Sequence, residues 1–274
     1  MRNSVQRKEF LEAEMAEDIS GRGDIIRGLE LMWGRPSPSR RGPRTESRTS
    51  DLVAAAIRIA DAEGIKAVST RRVAEAAGIS AMSFYTHIPD KAVLLDLMLD
   101  AIANQGEAVD RPSEFNPAAW RANIGLLAHQ FRAFLLRHPW VLQVSTHRPG
   151  VGPNAIRSYD HFLAAFDQLG LDEVEMDLSV AMITQYVQGA VRDVARARMV
   201  ETETGMSDQE WWQIIAPFLS SVDLSVYPVA NRVGPVAGEL YGAGDPERAF
   251  AFGLERLLDG LGMLIETKRT SAKD

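Results

Sequence analysis

The stretch from Ser69 to Lys91, STRRVAEAAGISAMSFYTHIPDK, constrains the fold more than any other part of the chain. Ser69 stands where its hydroxyl can accept from the open N–H groups of a first helical turn. Val73, Ala74 and Ala77 then share one apolar face at helical spacing. Gly78 ends that helix, at a place where a left-handed backbone is cheap only for glycine. Ile79 turns inward and Ser80 caps a second, short helix. Within it Phe84 and Ile88 sit at i and i+4, so both are buried on one face. Pro89 stops it, and Asp90 caps a third helix that opens with Lys91. A closely packed alanine, a glycine turn and a short second helix are the parts of a helix-turn-helix.

The outward face of the second helix carries the functional argument. With Phe84 and Ile88 inside, Ser80, Ala81, Met82, Ser83, Tyr85, Thr86 and His87 face out. This face holds no acid, whereas an ordinary surface helix carries Glu and Lys there. A helix entering the major groove needs small residues for close approach, hydroxyls for phosphates and apolar groups for thymine methyls. Ser69, Thr70, Arg71 and Arg72 open the preceding helix. The macrodipole disfavours cations in a first turn, so two arginines there fit nearby phosphates. The alternative for them is a pair of solvated surface charges.

The residues VSTRRVAEAAGISAMSFYTHIPDKAVLLDLML also resemble the DNA-binding segment of the TetR (tetracycline-repressor-like) transcriptional regulators. The matches are the small-apolar run RRVAEAAGIS, the tyrosine of SFYTHIPDK, and the lysine that opens the next helix before an LL pair. The family usually has Phe or Val where Ile88 stands, which keeps the core role. The resemblance is specific over about Arg40 to Leu99. It implies an all-α homodimer: a three-helix DNA-binding domain followed by a variable helical domain for ligand binding and dimerisation. It also implies a repressor; no residue shows that by itself.

A net charge of −7 looks wrong for such a role until it is divided along the chain. Residues 35–92 hold ten Lys/Arg against six acids, a surplus of +4, and the rest of the chain carries −11. Basic charge is thus concentrated where DNA contact is expected, and affinity for DNA follows the local count of phosphate contacts. The absence of cysteine excludes disulfides and thiolate metal sites. No apolar run reaches the ~18 residues of a membrane span, and the N-terminal residues contain no apolar signal segment. These features lead us to expect a cytoplasmic protein without membrane partners.

In chain order, residues 1–34 form an extension. Its first twenty residues are mixed in charge and read as disordered or weakly helical. Residues 24–33, DIIRGLELMW, place Ile25, Ile26, Leu29, Met32 and Trp33 on one helical face, docked on the protein. Residues 35–48, RPSPSRRGPRTESR, read as a basic linker or arm, with Arg40, Arg41 and Arg44 reaching phosphates or the minor groove. Residues 49–92 form the helix-turn-helix domain, its first helix capped by Thr49 or Ser50 and closed at Gly64. Lys91 to about Gln105 connects it to the second domain, 93–270, and Lys91 is a phosphate contact.

Helices are predicted over 117–137, 140–147, 154–169, 172–203, 207–220 and 245–267, with loop or short turns over 221–244. SDQE at Ser207 has the sequence of a capping box. Leu178, Met182, Ile183, Tyr186, Val187, Ala190 and Val194 are expected to face inward. The last helix has a wide apolar band, including Phe252, interrupted by Gly253, Gly260 and Gly262. Glycines weaken a helix by ~1 kcal/mol each against alanine, so they read as sites of close helix approach. We expect a homodimer interface through the helices near 172–203 and 245–267.

Nothing points to catalysis, a cofactor or a metal. The five histidines show no HExxH or HxH pattern, and no strand precedes a glycine-rich loop. An effector pocket is expected among the bulky residues of the second domain. Trp140, Gln143, Phe162, Met182, Gln185, Tyr186 and Trp211 are the candidates, because an apolar cavity with a few polar groups suits a small apolar or aromatic molecule. The partners are therefore double-stranded operator DNA, a small-molecule effector and a second copy of the chain. The competing reading is a helical enzyme or scaffold with an incidental helix-turn-helix. It requires a convergent set of acids and bases that the sequence does not display.

Overall fold

The computed structural model describes residues 20–35, 43–103, 115–144 and 148–271, except for the side chains of 43–47. Within these residues the chain is all-α, with no strand. The elements are α1 (Ile25–Met32), α2 (Pro43–Glu63), α3 (Thr70–Ala76), α4 (Ala81–Phe84), α5 (Lys91–Ala103), α6 (Trp120–Arg137), α7 (Pro153–Ala164), α8 (Glu173–Thr204), α9 (Asp208–Ser221), α10 (Pro228–Tyr241) and α11 (Pro246–Ser271). Short 3-10 turns occupy Ile65–Ala67, Pro117–Ala119 and Pro139–Gln143. The chain divides into two compact units, one ending at Asp177 and the other beginning at Leu178.

The first unit is built around α5. Val93, Leu94, Leu95, Leu97, Met98 and Ile102 are all buried on it. A helix with so wide an apolar surface must be largely enclosed, and α1, α2 and α7 pack around this one. This explains why a compact unit does not end at residue 92: α5 holds its neighbours together. The apolar stripe of α2, with Leu52, Val53, Ala56, Ile57 and Ala60, is buried as its spacing predicts, and Gly64 follows with φ +85°. The helix starts at Pro43, however, six residues before the expected cap at Thr49 or Ser50. A proline in the first turn loses no hydrogen bond, so the run PRTESR adds to the helix and Thr49 and Ser50 become interior.

The extension docks on α5 by a different face from the one its periodicity suggests. Gly28 is buried, and Leu31 and Met32 pack on the core, while Ile25, Ile26 and Trp33 remain about half exposed or more. Gly28 lies against Val93, and Gly23 is the tighter approach: an added Cβ there would lie 2.8 Å from the Asp90 carboxylate and 3.0 Å from Val93. Two acids one turn apart on α5 fasten the arrangement. Asp96 accepts from the Ser20 hydroxyl at 2.6 Å and from the Gly21 N–H at 2.9 Å. Asp100 accepts from the N–H groups of Asn154 at 3.1 Å and Ala155 at 2.9 Å, in the first turn of α7. Burial raises the Asp100 carboxyl above the ordinary aspartate range, against the lowering effect of those N–H donors. Trp33 donates through Nε1 to the Val151 carbonyl at 3.1 Å.

Three further expectations change. The segment after His138 is a 3-10 turn, Pro139–Gln143, and not the α-helix expected over 140–147. The helix expected over 154–169 ends at Ala164, and Gln168 and Gly170 take positive φ beyond it. In the second unit, 221–244 is not a loop: Pro228–Tyr241 is a helix. Pro228 occupies its first turn, and Pro235 forfeits one internal bond without ending it. Gly238 is required there, because an added Cβ would lie 2.1 Å from the Trp212 indole of α9.

The Ser207 capping box forms in full, and Asp245 caps α11 by accepting from the Arg248 N–H at 2.9 Å. Tyr186 lies stacked on Phe250, ring centroids 5.9 Å apart, and donates its hydroxyl to the Ala249 and Phe250 carbonyls at 3.0 and 2.8 Å. Gly253 makes room for that hydroxyl, as its close-approach reading requires, whereas Gly260 faces open space. Ile183, Val187 and Val194 are buried, but Leu178 is 61 % exposed and Phe252 65 %. Gly238→Ala should destabilise the protein by about 1–3 kcal/mol through overpacking against Trp212, read as a lower urea midpoint at an unchanged m-value.

Candidate nucleic-acid interface and effector residues

The helix-turn-helix forms from its sequence through local hydrogen bonds. Ser69 Oγ accepts from the Arg72 N–H at 3.3 Å and Ser80 Oγ from the Ser83 N–H at 3.1 Å, so each serine caps its helix. Gly78 takes φ +68°, and the Ile79 N–H closes back on the Ala74 carbonyl at 2.9 Å. Val73, Ala74, Phe84 and Ile88 are fully buried. Asp90 caps α5 by accepting from the Val93 N–H at 2.8 Å.

This frame gathers most of the residues expected to meet DNA. Thr70 Oγ1 and the Tyr85 hydroxyl are 3.1 Å apart, tying the start of α3 to the end of α4. Ser80 Oγ and Ser83 Oγ lie 2.9 Å apart, and the Thr86 hydroxyl donates to the Ser83 carbonyl at 2.7 Å. Ser69, Arg71, Ala81, Met82, Tyr85 and Thr86 are exposed; His87 and Lys91 are half-buried. Arg72 differs from its partner Arg71: its guanidinium pairs with Glu63 at the end of α2. That pair holds the Glu63 carboxyl below the usual glutamate range, with the hydrogen bond as the main cause. Arg72 thus links α2 and α3 through an exposed ion pair. Arg40 and Arg41 lie outside the described residues. Arg44 falls on the first turn of α2, so it belongs to the helix and not to a linker.

The first unit also contains a joint that periodicity does not reveal. Asp61 Oδ1, on α2, accepts from His138 Nδ1 and from Trp140 Nε1, both at 2.7 Å. His138 is 3 % exposed and Trp140 not at all, and Trp140 belongs to the same buried cluster as the helix-turn-helix. These partners are 77 and 79 residues from Asp61. The only local hint is the sequence His-Pro-Trp after α6, which reads as a helix stop.

The expected effector residues separate. Trp140, Gln143 and Phe162 belong to the first unit, and Met182, Gln185, Tyr186 and Trp211 to the second. Trp140 is a core residue with its indole N–H committed to Asp61, and the Tyr186 hydroxyl is committed to two carbonyls. Gln143 and Gln185 are exposed. Their positions at the rim of the apolar stripes fit either side of a helix, and the structure turns them to solvent. Trp211 is 45 % exposed, while its neighbour Trp212 packs on Gly238. Phe162 and Met182 remain half-buried and apolar. Phe162 meets Phe131 edge-on, centroids 6.0 Å apart, and Phe131 stacks on Phe134. Among the described residues no three acidic or histidine side chains gather as a metal-binding group, and no helix is long and apolar enough to cross a membrane.

Comparison with known proteins follows this division of labour. Residues 52–98 match the family description "Bacterial regulatory proteins, tetR family", and residues 112–265 match "Tetracyclin repressor-like, C-terminal domain". The chain is 38% identical over 253 residues to the HTH-type transcriptional repressor DrrR1 of Streptomyces coeruleorubidus, spanning 92% of this chain and 91% of that protein. Among solved structures it resembles apo ActR from Streptomyces coelicolor, with a TM-score of 0.63 and 23% identity over 78% of this chain and 93% of that one. The complex of ActR with actinorhodin gives a TM-score of 0.64 at 22% identity, covering 78% and 94%. Asp61→Ala should leave the buried Trp140 N–H without its acceptor, at a cost of about 1–3 kcal/mol; Asp61→Asn, which keeps one, should cost less by urea unfolding.

Proposed function

Because the chain belongs to the TetR family of bacterial regulatory proteins, we propose that it is a homodimeric, cytoplasmic repressor released from a pseudo-palindromic operator by a small apolar or aromatic effector. The observation that carries the DNA-binding half is the exposed, acid-free surface of α4 and its trailing turn, held by serine caps on a buried Phe84–Ile88 base. Tyr85 and Lys91 contact phosphates, with Ser69, Thr70 and Arg71 beside them. Arg40, Arg41 and Arg44 add basic charge before the helix-turn-helix. Two such heads demand half-sites centred about one helical turn apart, ~34 Å, or somewhat more. Dimerisation through α8 and α11 would cover Leu178, Phe252 and Met263, which are exposed among the described residues.

The relative, a transcriptional repressor, and the ligand complex of ActR support a regulator with an effector. The effector acts by preferring a state that does not bind DNA. Catalysis is not part of this reading, and none of the sites described supplies a converging acid and base.

Lys91→Ala should weaken binding on all sequences alike and lower the slope of log K against log salt by about one unit. Fluorescence anisotropy at several salt concentrations checks this; unchanged affinity and slope would contradict the docking. A screen of apolar and aromatic molecules, actinorhodin among them, should recover compounds that dissociate the operator complex. Phe162→Ala and Met182→Ala, tested separately, should weaken that release about tenfold or more while operator affinity stays constant, an effect worth ~1.4 kcal/mol. Release unchanged in both variants would remove these residues from the site.

A further inference from the structure

The recognition segment Ala81–His87 reads AMSFYTH. It contains no Arg, Lys, Asn, Gln, Asp or Glu, the side chains that make paired hydrogen bonds to guanine, adenine or cytosine edges. Its hydroxyls are already at work inside the protein. Ser80 caps α4 and meets Ser83, Thr86 donates to the Ser83 carbonyl, and Tyr85 reaches Thr70. Phe84 is fully buried. Ala81 is exposed but offers a single methyl group, and His87 is half-buried; Met82 is 79 % exposed, more than any other large apolar side chain among the described residues. An unbranched, polarizable side chain in water at the tip of a DNA-facing helix has one apolar counterpart in the major groove, the C5-methyl group of thymine.

We propose that Met82 is the specificity-determining contact of this protein and that it reads thymine methyl groups in each half-site. This rests on the DNA-binding reading above and adds the chemistry of recognition. The operator is told apart by methyl contacts in place of bidentate hydrogen bonds. Discrimination at each such position is therefore modest, and the thymines concerned recur symmetrically in the two half-sites.

The test uses the full-length protein and the operator that it enriches from a random duplex pool. Each thymine is replaced singly by deoxyuridine, which removes the methyl group and leaves base pairing and all hydrogen-bonding edges intact. Affinity is read by fluorescence anisotropy at fixed salt. One or two positions per half-site should lose roughly three- to tenfold, the scale of one buried methyl or somewhat more. Met82→Ala should bind the thymine operator more weakly by a similar factor and show no further loss with deoxyuridine at those positions. Met82→Leu should keep the deoxyuridine penalty. Met82 is exposed, so both variants should melt with the parent. Insensitivity to deoxyuridine everywhere would overturn the proposal. So would a full penalty retained in Met82→Ala, or losses confined to 7-deazaguanine substitutions. Failure of the underlying reading looks different: no sequence is enriched, and binding is equal on every duplex.

Discussion

A helix with a wide apolar surface has to be largely enclosed, and α5 imposes that requirement on everything near it. Its buried residues cover all but the half-exposed stripe of Ala92, Asp96, Leu99 and Ala103, and α1, α2 and α7 pack against it at once. The same helix begins at Lys91, beside the proposed phosphate contacts, and ends among elements of the matched C-terminal region. Interiors are close-packed and deform little. In the proposed regulator, the close packing around α5 is the route by which an effector would reach the operator.

The joint at Asp61 supplies a second constraint of the same kind. The turn after α6 inserts Trp140 into the core beneath the helix-turn-helix and fixes its indole to α2. Burying an indole N–H costs free energy unless it finds an acceptor. Asp61 provides that acceptor and holds His138 with the same oxygen. The DNA-reading helices and the turn after α6 thus share a core residue, which is why they fall in one compact unit.

What the sequence made legible was decided within a few residues. The serine caps at 69 and 80, the positive φ at Gly78, the buried pair Phe84 and Ile88, and the capping box at Ser207 all depend on neighbours at most five positions away. Periodicity and cap chemistry suffice there. The failures have two causes. Gly234, Pro235 and Gly238 look like breakers, yet α10 runs through them and packs the bare Cα of Gly238 on Trp212. The second cause is distance along the chain. Nothing near Asp61 announces partners 77 and 79 residues away, and nothing near Gln143 or Gln185 fixes which way an amide turns at the edge of an apolar stripe. The same distance hid the role of the extension, whose inward face is set by Val93.

The fastening of the extension bears on how such chains can be recombined. Asp96 holds Ser20 and Gly21, Asp100 holds the start of α7, and Trp33 closes the circuit to Val151. All of these ties lie outside residues 49–92, so a graft cut at those points keeps them and meets the Asp61 seam instead. Such a graft would present a foreign α2 to the native His138 and Trp140, with no guarantee of an acceptor in place of Asp61. A transplantable module has to carry the His138–Trp140 corner with it, or bring an acceptor of its own at position 61. Exchange of DNA specificity between such proteins is then easier by changing side chains at the tip of α4 than by moving domains.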